Sequence, residues 1–456
     1  PPRSTLSLHD ALPIWSALHI KDWIRCPESA LLVTGARQVG KTFIIRKCLK
    51  ELARDYIEIN LIRNPELIPA IESCTSSQDL ATALSLASGK KLTPKESYIF
   101  IDEVQEAKDV ITKIKFWVEE GMFYFCLSGS LLGVELRNLR SAPVGYLEEI
   151  QMFPLDFEEF LYANSVHEEL YFELQSCYLK QEAVQPYIHE RMLELFRRYL
   201  TVGGMPAAVN EYINSGNMNE VMKIQKNIIT QYKRDFTKYE SVDKKLFLSN
   251  IYDTIPAQLL KQNRRFIFSD IDKKLKYERM ENSFLWLTNA GVAIPVFNAA
   301  SPTAPLKQSE KSNLFKLYLS DVGLLTALYG SSAKLKLLTN DTTLNRGGIY
   351  ENAVAQELHA HGFPMHYYNS RKFGELDFVL ERTGTVLPIE IKSGKTYYVH
   401  SAVNNVVNSA DLNIGEAYVF ADCNVKKMGR ITYLPIYMVA FINSEVKLPT
   451  LKQIDF

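Results

Sequence analysis

The octet Gly35-Ala36-Arg37-Gln38-Val39-Gly40-Lys41-Thr42 stands between the apolar run Leu31-Leu32-Val33 and the helical pattern Phe43-Ile44-Ile45-Arg46-Lys47-Cys48-Leu49. Glycines let successive backbone N–H groups point inward at an anion, and the helix that follows adds its positive N-terminal dipole. The octet therefore reads as a phosphate-binding loop. Gly35 and Gly40 supply its turns, Lys41 is expected to neutralise the β and γ phosphates of ATP, and Thr42 to ligate Mg2+.

Further along, Tyr98-Ile99-Phe100-Ile101 is a continuous apolar run of the kind found in strands buried on both faces, and it ends in Asp102-Glu103. After a phosphate-binding loop, Asp102 is expected to hold Mg2+ and Glu103 to polarise the water that attacks the γ-phosphoryl group. A third run, Phe123-Tyr124-Phe125-Cys126-Leu127, carries Ser128-Gly129-Ser130 to the same sheet edge. Ser128 or Ser130 either senses the γ-phosphate or caps the next helix, and the residues leave both readings open. The alternation from residue 31 to about 150 predicts a parallel sheet covered by helices on both faces.

A chain of 456 residues has room for about three domains. Lys+Arg and Asp+Glu both total 52, so charge bias is local: acids dominate residues 148–194, and bases outnumber acids over residues 220–311. The basic stretch faces nucleic acid or is a solvated helical surface balanced by the acidic one. The six cysteines lack metal-like spacing and read as reduced thiols of a cytoplasmic protein. No apolar run approaches the ~18 residues of a membrane span. Residues 1–14, which begin Pro1-Pro2, are expected to be a non-native segment.

After Phe153-Pro154-Leu155 the sequence turns helical, with Asp156 as N-cap, and residues 156–240 are expected to form a helical lid. Within it, Val202-Gly203-Gly204-Met205-Pro206 enforces a tight turn, either docking the lid or simply joining two helices. Residues 241–300 carry three helical patterns and then the extended Val292-Ala293-Ile294-Pro295-Val296-Phe297, an order that resembles a winged helix with residues 278–290 as its third helix. Such a module binds DNA or packs as a plain domain.

Near the C-terminus, residues 373–380 and 386–392 read as two strands joined by a turn. Side chains alternate along a strand, so Glu390 and Lys392 share one face, and Asp377 can lie beside them. Asp377 and Glu390 would bind Mg2+ there, with Lys392 positioning a hydroxide against a scissile phosphate. This arrangement resembles the PD-(D/E)xK nuclease core, and Glu351, on the preceding helical segment, stands where that core places a further Glu. An acid-rich strand facing solvent is the plain alternative.

Taken together, the loop at 35–42, Ile101-Asp102-Glu103, Ser128-Gly129-Ser130, Pro143-Val144-Gly145, Pro154-Leu155-Asp156-Phe157, Gly203-Gly204-Met205-Pro206, residues 315–325 and Glu390-Ile391-Lys392 are similar to a prokaryotic family. Its members are AAA+-type P-loop ATPases fused to a C-terminal domain of unknown function with a PD-(D/E)xK-like core. The resemblance implies an α/β protein: an ATPase core over residues 15–155, the lid, the winged-helix-like module, and a nuclease-like domain over 305–456. Where many such ATPases place an arginine after the glycine equated with Gly145, this chain has Tyr146. Arg137 and Arg140 are the nearest substitutes, or ordinary surface residues. The resulting expectation is an Mg2+-dependent ATPase whose nucleotide state controls a DNA-directed nuclease-like domain. The alternative is an ATP-gated interaction or signalling protein whose C-terminal domain has lost catalysis and binds a protein partner.

Overall fold

Strand β1, Ala30–Gly35, is buried along its whole length, as a central strand of a parallel sheet must be. In the computed structural model, which describes residues 13–53, 55–130, 145–236, 242–270, 277–382 and 384–444, it lies between β4, Tyr124–Ser128, and β5, Leu147–Met152. With β2, Asp55–Asn60, and β3, Ser97–Asp102, the order is β2-β3-β4-β1-β5, all pairs parallel. Central β3 is wholly buried, whereas the edge strands mix buried positions with partly buried ones in β2 and with exposed ones in β5. Leu32, Ile99, Ile101, Phe125 and Leu127 project to one face, where helix Lys108–Glu119 covers them with Ile114 and Trp117. The predicted parallel α/β sheet is present, with strand ends shifted by one or two residues.

Register brings the C-terminal strand ends together. Asn60 pairs with Asp102 and Asp102 with Ser128, and Ser128 lies opposite Val33, two residues before the loop. This is the edge where open α/β sheets bind ligands. Gly35 sits at φ +131°, and a Cβ there would lie 2.2 Å from the Met152 carbonyl oxygen, so β5 passes too close for any side chain.

The chain divides into two compact units, each drawn from several stretches. The first contains the chain up to Leu155, Gly204–Ser249 and Met280–Ala293; the second contains Asp156–Gly203, Asn250–Arg279 and everything from Ile294. Residues 156–240, expected to act together as a lid, are thus shared out, the division falling between Gly203 and Gly204. Residues 241–300 are shared in the same way. Their extended stretch is β6, Ala293–Ala299, which is built into a large sheet instead of forming a separate wing.

That sheet has eight strands in the order β12-β13-β11-β10-β9-β8-β6-β7. They are β7, Glu310–Leu319; β8, His366–Ser370; β9, Gly374–Arg382; β10, Thr385–Ile391; β11, Ala417–Ala421; β12, Lys426–Met428; and β13, Ile431–Pro435. It is mixed: β9 and β10 form an antiparallel hairpin, while β10, β11 and β13 run parallel. Helix Gly347–Ala360 buries Glu351, Asn352, Gln356 and Glu357, an unusual load of polar side chains. The two amides are satisfied locally. Asn352 exchanges both side-chain hydrogen bonds with the Leu319 backbone, at 2.8 and 3.0 Å, and Gln356 accepts from Val322 N at 2.8 Å.

In the first unit, Leu155 N donates to the Gly204 carbonyl at 2.8 Å, and a Cβ on Gly204 would stand 2.0 Å from the Leu155 carbonyl oxygen. Gly204→Ala must push that backbone pair apart. We expect a cost of about 1–3 kcal/mol, read as a lowered melting temperature. An unchanged thermal midpoint would show that the backbone adjusts freely at this turn.

Candidate nucleotide site and a second acidic cluster

The helix Lys41–Leu52 begins at Gly40, whose φ of +95° lets the loop turn directly into it. Gly40 has no side chain to cap the helix, and the first turn holds no acidic residue. The leading N–H groups are therefore left for an anion, as phosphate binding requires. Gln38 also adopts a left-handed conformation, at φ +66°. Lys41 lies across the loop, donating from Nζ to the carbonyls of Gly35 at 2.9 Å and Ala36 at 2.8 Å. Burial pushes its pKa down to about 8, while the negative charges of Glu103 and Asp102 oppose that shift.

At the neighbouring strand end, Asp102 is only 3% exposed and gathers several donors. Thr42 Oγ1 approaches its two oxygens at 3.0 and 3.2 Å, Asn60 Nδ2 donates at 2.8 Å, and Ser128 Oγ donates as well. Thr42 and Asp102, the two residues expected to hold Mg2+, thus share one position. The hydroxyl and carboxylate are hard oxygen donors suited to that ion. Ser128 thus orients Asp102, and Ser130 accepts from Arg37 Nε at 3.1 Å. Glu103 follows immediately at φ +57°, a left-handed conformation rare for a residue with a Cβ. That bend carries its carboxylate off the line of the strand, where it accepts from Gln105.

Two features here escaped the sequence reading. Asn60, at the end of β2, is a third strand-end group on Asp102, found only once the register is known. Arg37, within the loop itself, pairs through Nη1 with Asp235 at 2.8 Å, and its carbonyl accepts from Tyr232 Oη at 3.0 Å. Gln38 is hydrogen-bonded to Gln231. Helix Met218–Phe236 therefore lies along the loop, and Pro206, which starts helix Pro206–Ser215, stands 3.7 Å from where a Cβ on Gly40 would be. Arg137, Arg140, Pro143 and Val144 lie outside the described residues. Tyr146 is described, with Lys115 Nζ 5.3 Å from its ring centroid.

In the second unit, Glu351 comes from helix Gly347–Ala360, Asp377 from β9 and Glu390 from β10. All three are 7% exposed or less. Asp377 accepts from Ile391 N at 2.9 Å, and Lys392 Nζ pairs with Glu390 at 2.7 Å. The four residues singled out in the sequence are brought together. Two cations that were not foreseen accompany them. Lys316, fully buried on β7, places Nζ 2.7 Å from Glu375, 3.6 Å from Asp377 and 3.7 Å from Glu351. Arg264 Nη1 contacts Glu351 and lies 3.9 Å from Asp377.

Charge explains the protonation of this cluster. Burial raises the pKa of Asp377, but Lys316, Arg264 and the Ile391 N–H together hold it below the ordinary aspartate value. Burial and the Asp377 charge push Glu351 up to about 7 and Glu390 up to about 8. Burial works against charge on Lys316, yet the surrounding carboxylates keep its pKa above the usual lysine value. Replacing this ammonium by an apolar group of similar length, Lys316→Met, leaves several buried carboxylates facing one another. We expect a loss of about 3–5 kcal/mol in stability by chemical denaturation. A loss below 1 kcal/mol would mean that protons or water compensate the cluster without it.

A family profile described as an AAA domain matches residues 27–161. Two profiles for domains of unknown function follow, DUF8612 over residues 193–335 and DUF4143 over 346–438. No curated protein sequence matches the chain. Among solved structures it is similar to a Walker-type ATPase of Pyrococcus abyssi, at 15% identity, covering 69% of this chain and 95% of that one with a TM-score of 0.43. It is also similar to the RuvB Holliday junction branch migration motor of Thermotoga maritima, at 12% identity over 65% and 93% with a TM-score of 0.28. No helix among the described residues is long and apolar enough to cross a membrane. The chain carries an AAA domain of the P-loop ATPase type, followed by two domains of unknown function.

Proposed function

We propose that this protein is an Mg2+-dependent ATPase whose nucleotide state controls its C-terminal domain. The observation that carries the reading is the convergence of Lys41, Thr42, Asp102 and Glu103 on an uncapped helix N-terminus at one sheet edge. The residues present fit ATP and Mg2+: backbone N–H groups and an ammonium for the phosphates, a hydroxyl and a carboxylate for the ion. Bound Mg2+ would supply charge neutralisation at the β and γ phosphates. Lys41 would exchange its two carbonyl partners for phosphate oxygens, Asp102 would hold Thr42 in place, and Glu103 would orient the attacking water. Helix Met218–Phe236, tied to the loop through Asp235 and Tyr232, is the element best placed to respond to the nucleotide.

DNA is the substrate class we favour for the C-terminal domain, from the grouping of Glu351, Asp377, Glu390 and Lys392 and the excess of bases over residues 220–311. A specific observation favours a second reading, in which this domain is catalytically silent and binds a protein partner. Lys316 and Arg264 already neutralise the carboxylates that would otherwise take Mg2+.

Lys41→Ala should abolish ATP binding in a direct titration, and unchanged affinity would remove the P-loop assignment. For the C-terminal domain, the purified chain is incubated with Mg2+ and single- or double-stranded DNA. Cleavage that disappears in Asp377→Asn, with ATP turnover intact, supports the DNA reading; no cleavage of either form supports the second. The Lys41 pKa supplies a further test. Because burial lowers it to about 8 without nucleotide, the ammonium is progressively lost above that pH, and ATP, which needs it charged, must bind together with a proton. Affinity should therefore fall as pH rises from 8 towards 10, by up to about tenfold per unit. Calorimetry in buffers of different ionisation enthalpy should register the proton uptake, and a flat pH profile would contradict it.

A further inference from the structure

Asp156, Glu357 and His361 form a third grouping of ionisable side chains, used by neither site above. Glu357 lies on helix Gly347–Ala360 and His361 is its C-cap, four residues on and therefore on the same helical face. Asp156 is the N-cap of helix Phe157–Ala163. Each of the three offers one donor atom, and these atoms lie within 4.8 Å of one another.

The remaining atoms of the three side chains are committed elsewhere. Asp156 Oδ1 accepts from Glu159 N at 2.8 Å. Glu357 Oε1 accepts from Phe157 N at 2.7 Å and from Tyr199 Oη at 3.1 Å. His361 Nδ1 is 2.6 Å from the Ile442 carbonyl oxygen, so it carries a proton and donates, and Nε2 is the nitrogen open to an ion that displaces its proton. That is the bond by which a backbone carbonyl fixes the tautomer of a metal-bound imidazole. On fully buried Glu357, Oε2 has no hydrogen-bond partner. His361 Nε2 faces Asp156 Oδ2 at 3.7 Å, too far for a hydrogen bond. The gap is close to the roughly 3.3 Å that separates two ligands of a tetrahedral ion bound at about 2.0–2.1 Å.

We propose that Asp156, Glu357 and His361 bind one divalent transition-metal ion of the Zn2+ class, which staples the start of helix Phe157–Ala163 to the end of helix Gly347–Ala360. Two carboxylates and a neutral imidazole balance the ion's two charges, so the buried site carries no net charge. The role is structural, since the ligands come from helix ends held by backbone bonds.

The test uses the full chain, stripped with a chelator and titrated with Zn2+ against a chromophoric competitor. The wild type is expected to take up one equivalent that Glu357→Gln and His361→Gln bind at least tenfold more weakly. Co2+ loaded into the wild type should show the visible absorption of a low-coordinate site with histidine nitrogen, and Zn2+ should raise the melting temperature. If either variant fails to fold, the Co2+ spectrum of the wild type decides. Absence of binding by the wild type, a Co2+ spectrum without a histidine ligand, or unchanged affinity in both variants overturns the proposal and leaves a proton-bridged ion pair in its place.

Discussion

Parallel pairing in a single register is the constraint on which the nucleotide site depends. Asn60, Asp102 and Ser128 end three different strands, yet the ladder sets them side by side, and Asp102 accepts from both neighbours and from Thr42. A shift of one residue in any of these pairs would turn the side chains to the opposite face. The full burial of β1 and β3 resists such a shift, because each displaced residue would have to find a new place in a packed core. The same register leaves the helix after Gly40 with its N–H groups directed at the site.

The C-terminal cluster rests on charge instead of register. Three buried carboxylates come from two strands and a helix, and without Lys316 and Arg264 their mutual repulsion and desolvation would be prohibitive. The two cations let three carboxylates share one buried core. They also compete for the space and charge an ion would occupy.

Glycine and proline at the Gly203-Gly204-Met205-Pro206 turn link these themes within the chain. Gly204 permits close approach to Leu155, and Pro206 stands beside Gly40 at the phosphate-binding loop, so the turn serves the first unit as more than a connector. The division of residues 156–240 between two units falls at this pair of glycines. Among the described residues, 241–300 hold helices Val242–Leu259 and Tyr277–Asn289, the short 3-10 turn Phe268–Asp270 and the extended segment Ala293–Ala299. The identity of that segment as an inner strand of an eight-stranded sheet, however, depends on β7 on one side and on the sequence-distant β8 on the other.

What the sequence determined by itself was local chemistry carried by contiguous residues. The loop at 35–42, the acidic pair closing an apolar run, the Asp156 cap, and the Glu390–Lys392 alternation are all set by spacing along a helix or strand, which backbone geometry imposes wherever such residues occur. Asn60, the Arg37–Asp235 pair, Lys316 and Arg264 carry no such signature. Each is a single polar residue in an ordinary context, and its role arises only when folding removes water and leaves one partner within reach. Tertiary structure also gave Ser128 a partner that spacing along the chain does not show, Asp102, because the register put the carboxylate next to its hydroxyl.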